Sequence, residues 1–182
     1  MSPVGDIERI TQDRIIALFS DKSKLNYNYL GNWYDRQDNS NIEEELLTRY
    51  LQKNGYSETL ITKAIYELKK TAGVQNKNLY SINKDVYTIL RYGAKVKEEV
   101  GENTQTVRLI DWEHPDNNHF AIAEEVSIKG ENKKRPDIVI YVNGIALGVL
   151  ELKRSTVSVS EGIRQNLDNQ KSMFIMPFFG TV

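Results

Sequence analysis

The fold is decided by the stretch Arg135-Pro136-Asp137-Ile138-Val139-Ile140-Tyr141-Val142-Asn143-Gly144-Ile145-Ala146-Leu147-Gly148-Val149-Leu150-Glu151-Leu152-Lys153. Two apolar, β-rich runs flank Asn143-Gly144, a dipeptide that favours a tight hairpin turn. Runs this apolar are typical of strands buried on both faces. Charged residues stand only at the open end of the hairpin. The pattern therefore predicts a buried hairpin with its charges gathered at one end.

These charges need a partner, because an unpaired buried charge is costly. A divalent cation is an efficient partner, and Mg²⁺ prefers hard oxygen ligands while keeping several waters. Asp137, Glu151 and one backbone carbonyl would suffice to hold it. Lys153 lies two residues beyond Glu151, so both side chains point the same way on an extended strand. Taken alone, an Asp or a Glu-x-Lys at a strand end is usually an ordinary solvated charge.

The turn decides whether the charges share a face of the sheet. A two-residue turn pairs Val142 with Ile145 and places Asp137 on the face opposite Glu151. A three-residue loop, 142–144, with Gly144 in a left-handed bulge brings both acids to one face. A single site therefore predicts the bulged loop, or a compensating bulge elsewhere in the hairpin.

The rest of the sequence predicts mainly helices followed by strands. Apolar spacing and capping residues predict helices and strands at these positions: helices at Asp6–Phe19, Asn41–Tyr50 (capped by Asn41), Ser57–Thr71, Ile82–Tyr92 and Ser160–Met173; a short strand and loop within 25–40; two strands around 96–110 joined by Gly101-Glu102-Asn103; and a half-buried strand at Phe120–Lys129. This order predicts an α+β fold in which a helical block at about 41–92 is an insertion.

Composition sets the remaining limits. The 182 residues suit one domain, and the net charge of -1 neither announces nor excludes a polyanion ligand. The absence of Cys excludes disulfides and cysteine nucleophiles. The longest apolar run, Ile145–Leu150, is too short to cross a membrane, so a cytoplasmic location is expected. The apolar end at 178–182 predicts a chain cut inside a longer protein.

The hairpin pattern resembles the PD-(D/E)xK nuclease motif. The surrounding sequence resembles the N-terminal domain of the restriction (R) subunit of type I restriction enzymes. The segments that carry the likeness extend over nearly the whole chain: Thr11–Phe19, Gly93–Val96, Leu109–Trp112, Asn117–Phe120 and Arg135–Asn169.

This resemblance implies a restriction-endonuclease-like core, a mixed sheet flanked by helices, across residues 1–182. It implies cleavage of double-stranded DNA by a domain attached to an ATP-driven translocase, in a complex with methylation and specificity subunits. These residues contain no phosphate-binding G-x-x-x-x-G-K-[ST] loop, so ATP belongs to a motor outside them. The piece alone is expected to cut weakly or not at all. A non-catalytic DNA-binding or assembly module of the same complex is the alternative.

By the same resemblance, Asp137, Glu151 and the carbonyl of Leu152 would bind Mg²⁺. Lys153 would orient or help deprotonate the attacking water. The family also places a catalytic glutamate on the first helix. Glu8 matches that position, and Glu44 is its rival because its surroundings resemble the first helix of other nucleases in the superfamily.

Candidate DNA contacts lie on either side of these residues. The basic run Lys133-Lys134-Arg135 directly precedes Asp137, where phosphate must pass, and Lys171 could extend this track. Gln165 matches the first position of the Gln-x-x-x-Tyr pattern of the family. The aromatic position of that pattern is occupied by Asn169, which weakens the assignment of Gln165.

Overall fold

The computed structural model describes residues 3–74, 77–128 and 135–152, and also residues 160, 163–164, 178 and 180–182; the side chains of residues 3–8 are outside this description. The chain forms two compact units. The first comprises residues 1–39, 120–141 and 147–175, and the second comprises residues 40–119, 142–146 and 176–182.

The described elements follow one another in this order: α1 (Pro3–Ser20), β1 (Asn28–Asn32), α2 (Glu44–Lys53), α3 (Glu58–Ala72), α4 (Leu79–Tyr92), β2 (Ala94–Val96), β3 (Gln105–Val107), a 3₁₀ helix (Pro115–Asn117), β4 (Phe120–Glu124), β5 (Ile138–Val142) and β6 (Ile145–Leu150). The predicted helix at 160–173 falls largely outside the described residues. Among the described helices, none has both the length and the apolar character needed to cross a membrane.

Within the described residues, four strands form a sheet in the order β1-β4-β5-β6, and β2 and β3 form a separate antiparallel pair. β1 runs parallel to β4, with Asn28 opposite Ala121 and Asn32 opposite Glu124. The register shifts between Tyr29 and Asn32. This mixture of sheet and helices is compatible with the predicted α+β fold, whereas the PD-(D/E)xK topology stays a prediction.

β4 departs from its predicted pattern. The sequence predicts a half-buried strand over 120–129, but Ala121, Ile122, Ala123 and Glu124 are all buried. The strand ends at Glu124 because Glu125 adopts a left-handed backbone with φ 52°. Burial on both faces explains why polar and apolar residues do not alternate here. A carboxylate therefore lies in the core of the first unit.

Helices dominate the second unit, and their caps were only partly predictable. Ser57 caps α3 as predicted, since its side chain accepts a hydrogen bond from the amide of Leu60. Asn41 was predicted to cap α2, and this is wrong because α2 begins only at Glu44. The backbone around Asn41 is instead paired with the hairpin: the carbonyl of Asn41 accepts from the amide of Ala146, 2.8 Å away. α4 begins at Leu79, earlier than predicted, because Asn78 caps it.

Candidate active site

Asp137 lies at a bend directly before the first residue of β5, and its side chain is half-buried. Its Oδ2 accepts a hydrogen bond from the amide of Leu152, 2.5 Å away. Its backbone carbonyl accepts from the amide of Glu125 at 2.9 Å. The Pro-Asp segment before β5 is thus in direct contact with the Glu-Leu segment after β6.

Glu151 and Leu152 follow β6 immediately and are also half-buried. Lys153 lies outside the described residues. The structure therefore brings Asp137 against the Glu151-Leu152 segment. The convergence of both carboxylates and the Lys153 amine on one cleft stays a prediction.

The hairpin turn differs from the predicted one. β5 ends at Val142 and β6 begins at Ile145, so only Asn143 and Gly144 form the turn. Both have positive φ, 53° and 85°, as a type I′ turn requires. Gly144 is left-handed as predicted, but the three-residue bulged loop is wrong.

Tertiary contacts hold this turn. Asn143 is fully buried, and its amide donates to the carbonyl of His119 at 2.8 Å. Its side-chain oxygen accepts from the amide of His119 at 2.7 Å, and its Nδ2 donates to the carbonyl of Leu109 at 2.9 Å. These bonds stabilise the left-handed conformation, which asparagine tolerates better than most residues.

Asp137 reaches Leu152 despite the two-residue turn because it precedes the strand. Alternation of side chains between the two faces holds only along regular β-structure. Asp137 sits in a bend outside β5, so the register of the hairpin does not fix its direction. A two-residue turn therefore does not by itself separate Asp137 from the Glu151-Leu152 segment.

A second acidic feature in the first unit was not predicted. Glu124 is 2% exposed. Its Oε2 accepts from Arg9 Nη1 at 2.8 Å and from Gln12 Nε2 at 2.7 Å. Its Oε1 accepts from the Tyr29 hydroxyl at 2.5 Å. The sequence feature that could have predicted this cluster is a glutamate inside the apolar run Phe120–Val126, since a charge in a buried strand requires partners.

The electrostatics of this cluster follow from its contacts. Burial acts to raise the pKa of Glu124, but the hydrogen bonds from Tyr29 and Arg9 outweigh it and leave that pKa below its ordinary value. Burial and the hydrogen bond to Glu124 raise the pKa of Tyr29 to about 12. The bond to Glu124 also raises the pKa of Arg9. Glu124 is therefore held as a carboxylate.

Among the predicted DNA contacts, only Arg135 lies within the described residues; Lys133, Lys134, Gln165 and Lys171 lie outside them. Arg135 is half-exposed, and its Nε lies 2.7 Å from Oε2 of Glu125. Its guanidinium carbon lies 4.6 Å from the centre of the Tyr34 ring. Arg135 is thus oriented by an acid and an aromatic ring directly before Pro136-Asp137.

The two candidate helix glutamates lie in different units. Glu8 belongs to α1, one turn before Gln12, and its side chain is outside the description. Glu44 begins α2 in the second unit and forms an ion pair with Lys69 at 2.5 Å. The assignment of either residue to the site stays a prediction.

The donor chemistry of the Asp137 region fits a hard cation. It offers the carboxylates of Asp137 and Glu151 and the carbonyl of Leu152, all oxygen donors of the kind that Mg²⁺ prefers. Within the part of the chain that the structure describes, no group of three or more His, Cys, Asp or Glu side chains is arranged to hold a metal. The expected ligand set contains only two carboxylates, and the metal site stays a prediction.

The fold is a mixed α/β arrangement in which Asp137 lies against the Glu151-Leu152 segment that follows β6. The family model described as "Type I restriction enzyme R protein N terminus" matches residues 8–180. The chain belongs to this family, as the sequence resemblance predicted.

Several named proteins are similar to parts of the chain. The type I restriction enzyme HindI endonuclease subunit of Haemophilus influenzae is 37% identical over 75 residues, which are 39% of this chain and 7% of that protein. The putative type I restriction enzyme MjaIXP endonuclease subunit of Methanocaldococcus jannaschii is 33% identical over 96 residues, 50% of this chain and 9% of that protein. The type I restriction enzyme SsaAORF53P endonuclease subunit of Staphylococcus saprophyticus is 30% identical over 86 residues, 47% of this chain and 9% of that protein. The matched part spans less than a tenth of each relative.

Proposed function

We propose that this chain is the DNA-cleaving domain of a type I restriction enzyme R subunit and hydrolyses phosphodiester bonds with Mg²⁺. The observation that carries the proposal is the 2.5 Å hydrogen bond from the Leu152 amide to Asp137 Oδ2. It joins the Pro-Asp segment to the Glu-x-Lys segment across a sequence separation of 15 residues. The family and the endonuclease names of the relatives support the same reading.

In this proposal Asp137, Glu151 and the carbonyl of Leu152 hold the cation. Bound Mg²⁺ would supply a positive charge that polarises the phosphate and acidifies a water. Lys153 would orient that water and offset the negative charge that develops on the phosphate. Glu8 would supply a further carboxylate from α1. The half-buried setting of Asp137 supports its part, because partial exclusion of water strengthens electrostatic interactions.

DNA would approach along Lys133, Lys134 and Arg135, with Gln165 and Lys171 extending the contact. Arg135 supports this path, because its stacking on Tyr34 and its pairing with Glu125 hold a half-exposed guanidinium in place. Guanidinium groups suit phosphate oxygens through paired N–H donors. These contacts would position the backbone without reading the base sequence.

The wider setting is also part of the proposal. The relatives are far longer than this chain and are named as endonuclease subunits. We place the domain in a cytoplasmic complex with methylation and specificity subunits, where ATP would drive a translocating motor outside these residues.

The test combines metal binding with cleavage. Isothermal titration of the 182-residue chain with Mn²⁺ should show a site that Asp137→Ala and Glu151→Ala each weaken. In the complete R subunit, Asp137→Ala, Glu151→Ala and Lys153→Ala should each lower plasmid cleavage by about 10² or more. Asp116→Ala, at an exposed aspartate of the second unit, is the matched control and should leave both readouts unchanged.

The same experiment separates the alternative. A wild-type chain that binds neither Mg²⁺ nor Mn²⁺, in a complex that still holds DNA, would favour a non-catalytic binding or assembly module. Cleavage at the wild-type rate by any of the three variants would remove that residue from the mechanism.

A further inference from the structure

The side chain of Gln12 lies between three acidic residues of the first unit. Its Nε2 is 2.7 Å from Glu124 Oε2, 3.3 Å from Glu125 Oε1 and 3.5 Å from the backbone carbonyl of Asp137. Gln12 is 4% exposed, on a helix whose described neighbours Arg9, Ile10 and Asp13 are all exposed. The Gln12 side chain is therefore directed towards these acceptors and away from solvent.

We infer that Gln12 is a positioning residue for Asp137 and that the buried carboxylate of Glu124 holds Gln12 in the orientation this requires. All three atoms facing Nε2 are acceptors, so only the amide nitrogen can occupy this place. The bond to the charged Glu124 is the shortest of the three and of the strong, charge-assisted kind. It anchors one amide hydrogen and leaves the other directed between Glu125 and Asp137.

Asp137 needs such support because it precedes β5, where the ladder of strand hydrogen bonds does not hold it. Its carbonyl is bound by the amide of Glu125 at 2.9 Å, and the carbonyl of Pro136 by the amide of Val126 at 3.2 Å. Gln12 adds a contact from α1 to these contacts from the end of β4. The peptide that carries the Asp137 carboxylate is thereby held from two elements while Oδ2 meets Leu152.

Tyr29 and Arg9 also donate to Glu124, and neither has a hydrogen bond to Asp137 among the described contacts. Tyr29 donates to Oε1 from β1, and Arg9 donates to the same carboxylate while also pairing with Asp13 at 2.9 Å. Loss of the Tyr29 hydroxyl therefore perturbs Glu124 but leaves the Gln12–Asp137 contact in place. This difference provides a matched control.

The experiment is hydrogen exchange of individual backbone amides, followed by NMR. The consequence for cleavage rests on the proposed metal site, but this measurement does not. Gln12→Met removes the amide at similar volume, and the amides of Glu125 and Leu152 should then exchange about five- to tenfold faster, as expected when one hydrogen bond that limits local opening is lost. Tyr29→Phe should leave the Leu152 amide at its wild-type rate.

Wild-type exchange at Glu125 and Leu152 in Gln12→Met would overturn the inference. So would equal acceleration in Tyr29→Phe, because it would show a general loosening around Glu124. If Gln12→Met does not fold, Gln12→Asn gives the same test, since it keeps the amide but is one methylene too short to reach Asp137.

A Mn²⁺ titration supplies the functional readout. Paramagnetic broadening of the Leu152 amide should reach its midpoint at a several-fold higher Mn²⁺ concentration in Gln12→Met than in wild type or Tyr29→Phe. An unchanged midpoint would contradict a positioning role. Absence of broadening in the wild type would count against the proposed metal site, while the exchange rates would still decide the role of Gln12.

Discussion

At the scale of single residues, Glu124 shows how a charge is accommodated in a buried strand. Its side chain is only 2% exposed, and burial of this kind raises the pKa of an acid. Hydrogen bonds from Tyr29, Arg9 and Asn32, together with the charge of Arg9, outweigh this burial and keep its pKa below the ordinary value of 4.5. The ionised carboxylate stabilises the folded state because the unfolded chain lacks these donors.

The expected consequence is a pH-dependent loss of stability. An acid with a lowered folded pKa stabilises the protein fully above its unfolded pKa, and the contribution is lost as the pH falls through the folded pKa. Glu124→Gln should therefore have a lower free energy of unfolding than wild type at pH 7. The difference should begin to shrink as the pH falls below 4.5, the ordinary value, because the unfolded chain then binds the proton first. It should be lost once the pH has fallen through the lowered pKa of Glu124 in the folded protein. Urea unfolding at a series of pH values measures it.

Glu99→Gln provides the control for this series, because Glu99 is an exposed glutamate of the second unit. Its free energy of unfolding should stay close to the wild-type value, as is usual for surface substitutions. A difference between Glu124→Gln and wild type that is constant from pH 7 to pH 3 would contradict the assignment of Glu124 as a stabilising carboxylate.

At the scale of elements, the β5–β6 turn packs closely against the start of α2. The carbonyl of Gly144 accepts from the amide of Glu43 at 2.7 Å. A Cβ on Gly144 would lie 2.6 Å from the carbonyl oxygen of Glu43 and 2.8 Å from Cβ of Leu46. Glycine is required here for two separate reasons, the positive φ of 85° and the lack of space.

Gly55 permits the two reasons to be separated. It has nearly the same φ, 81°, but no atom lies within 4 Å of a Cβ built on it. Gly55→Ala should cost about 1 kcal/mol from backbone strain alone. Gly144→Ala should cost that amount plus about 1–3 kcal/mol for the overlap. Chemical denaturation of both variants measures the difference, and equal losses would show that the turn moves away from α2 without penalty.

At the scale of the whole molecule, the residues of the candidate site come from separate parts of the chain. Gln12, Glu124, Asp137 and Leu152 all lie in the first unit, which is assembled from three separate segments. The second unit carries α2, α3 and α4, and its designation as an insertion stays a prediction. The site therefore depends on the folded first unit and not on any single motif.

We expect the 182-residue chain alone to cleave plasmid DNA weakly or undetectably in Mg²⁺. The matched regions are less than a tenth of each relative, and the proposal assigns DNA capture and translocation to parts outside these residues. Adding the remaining R subunit with its partner subunits and ATP should restore cleavage. Robust ATP-independent cleavage by the chain alone would contradict the expectation that parts outside these residues are needed. If Asp137→Ala abolished that cleavage, the result would still support the proposed site.

The sequence by itself determined the family and most local structure. Ser57 marks the start of α3 through short-range chemistry. The Asn143-Gly144 hairpin follows from apolar runs on both sides of a turn dipeptide. The sequence also predicts a site at Asp137, Glu151 and Lys153, because charges at the ends of buried strands need partners. The role of these residues stays a prediction. Such features depend on residues close together in the chain.

Only the tertiary structure decided the features that depend on distant residues. The local sequence predicts Asn41 as a helix cap. In the structure its carbonyl accepts a hydrogen bond from the hairpin residue Ala146, and α2 begins only at Glu44. Asn143 adopts its left-handed turn with support from Leu109 and His119. Glu124 remains charged because α1 and β1, more than 90 residues away in sequence, provide its donors. Periodicity and propensity describe neighbours along the chain, whereas these outcomes depend on which segments meet in space.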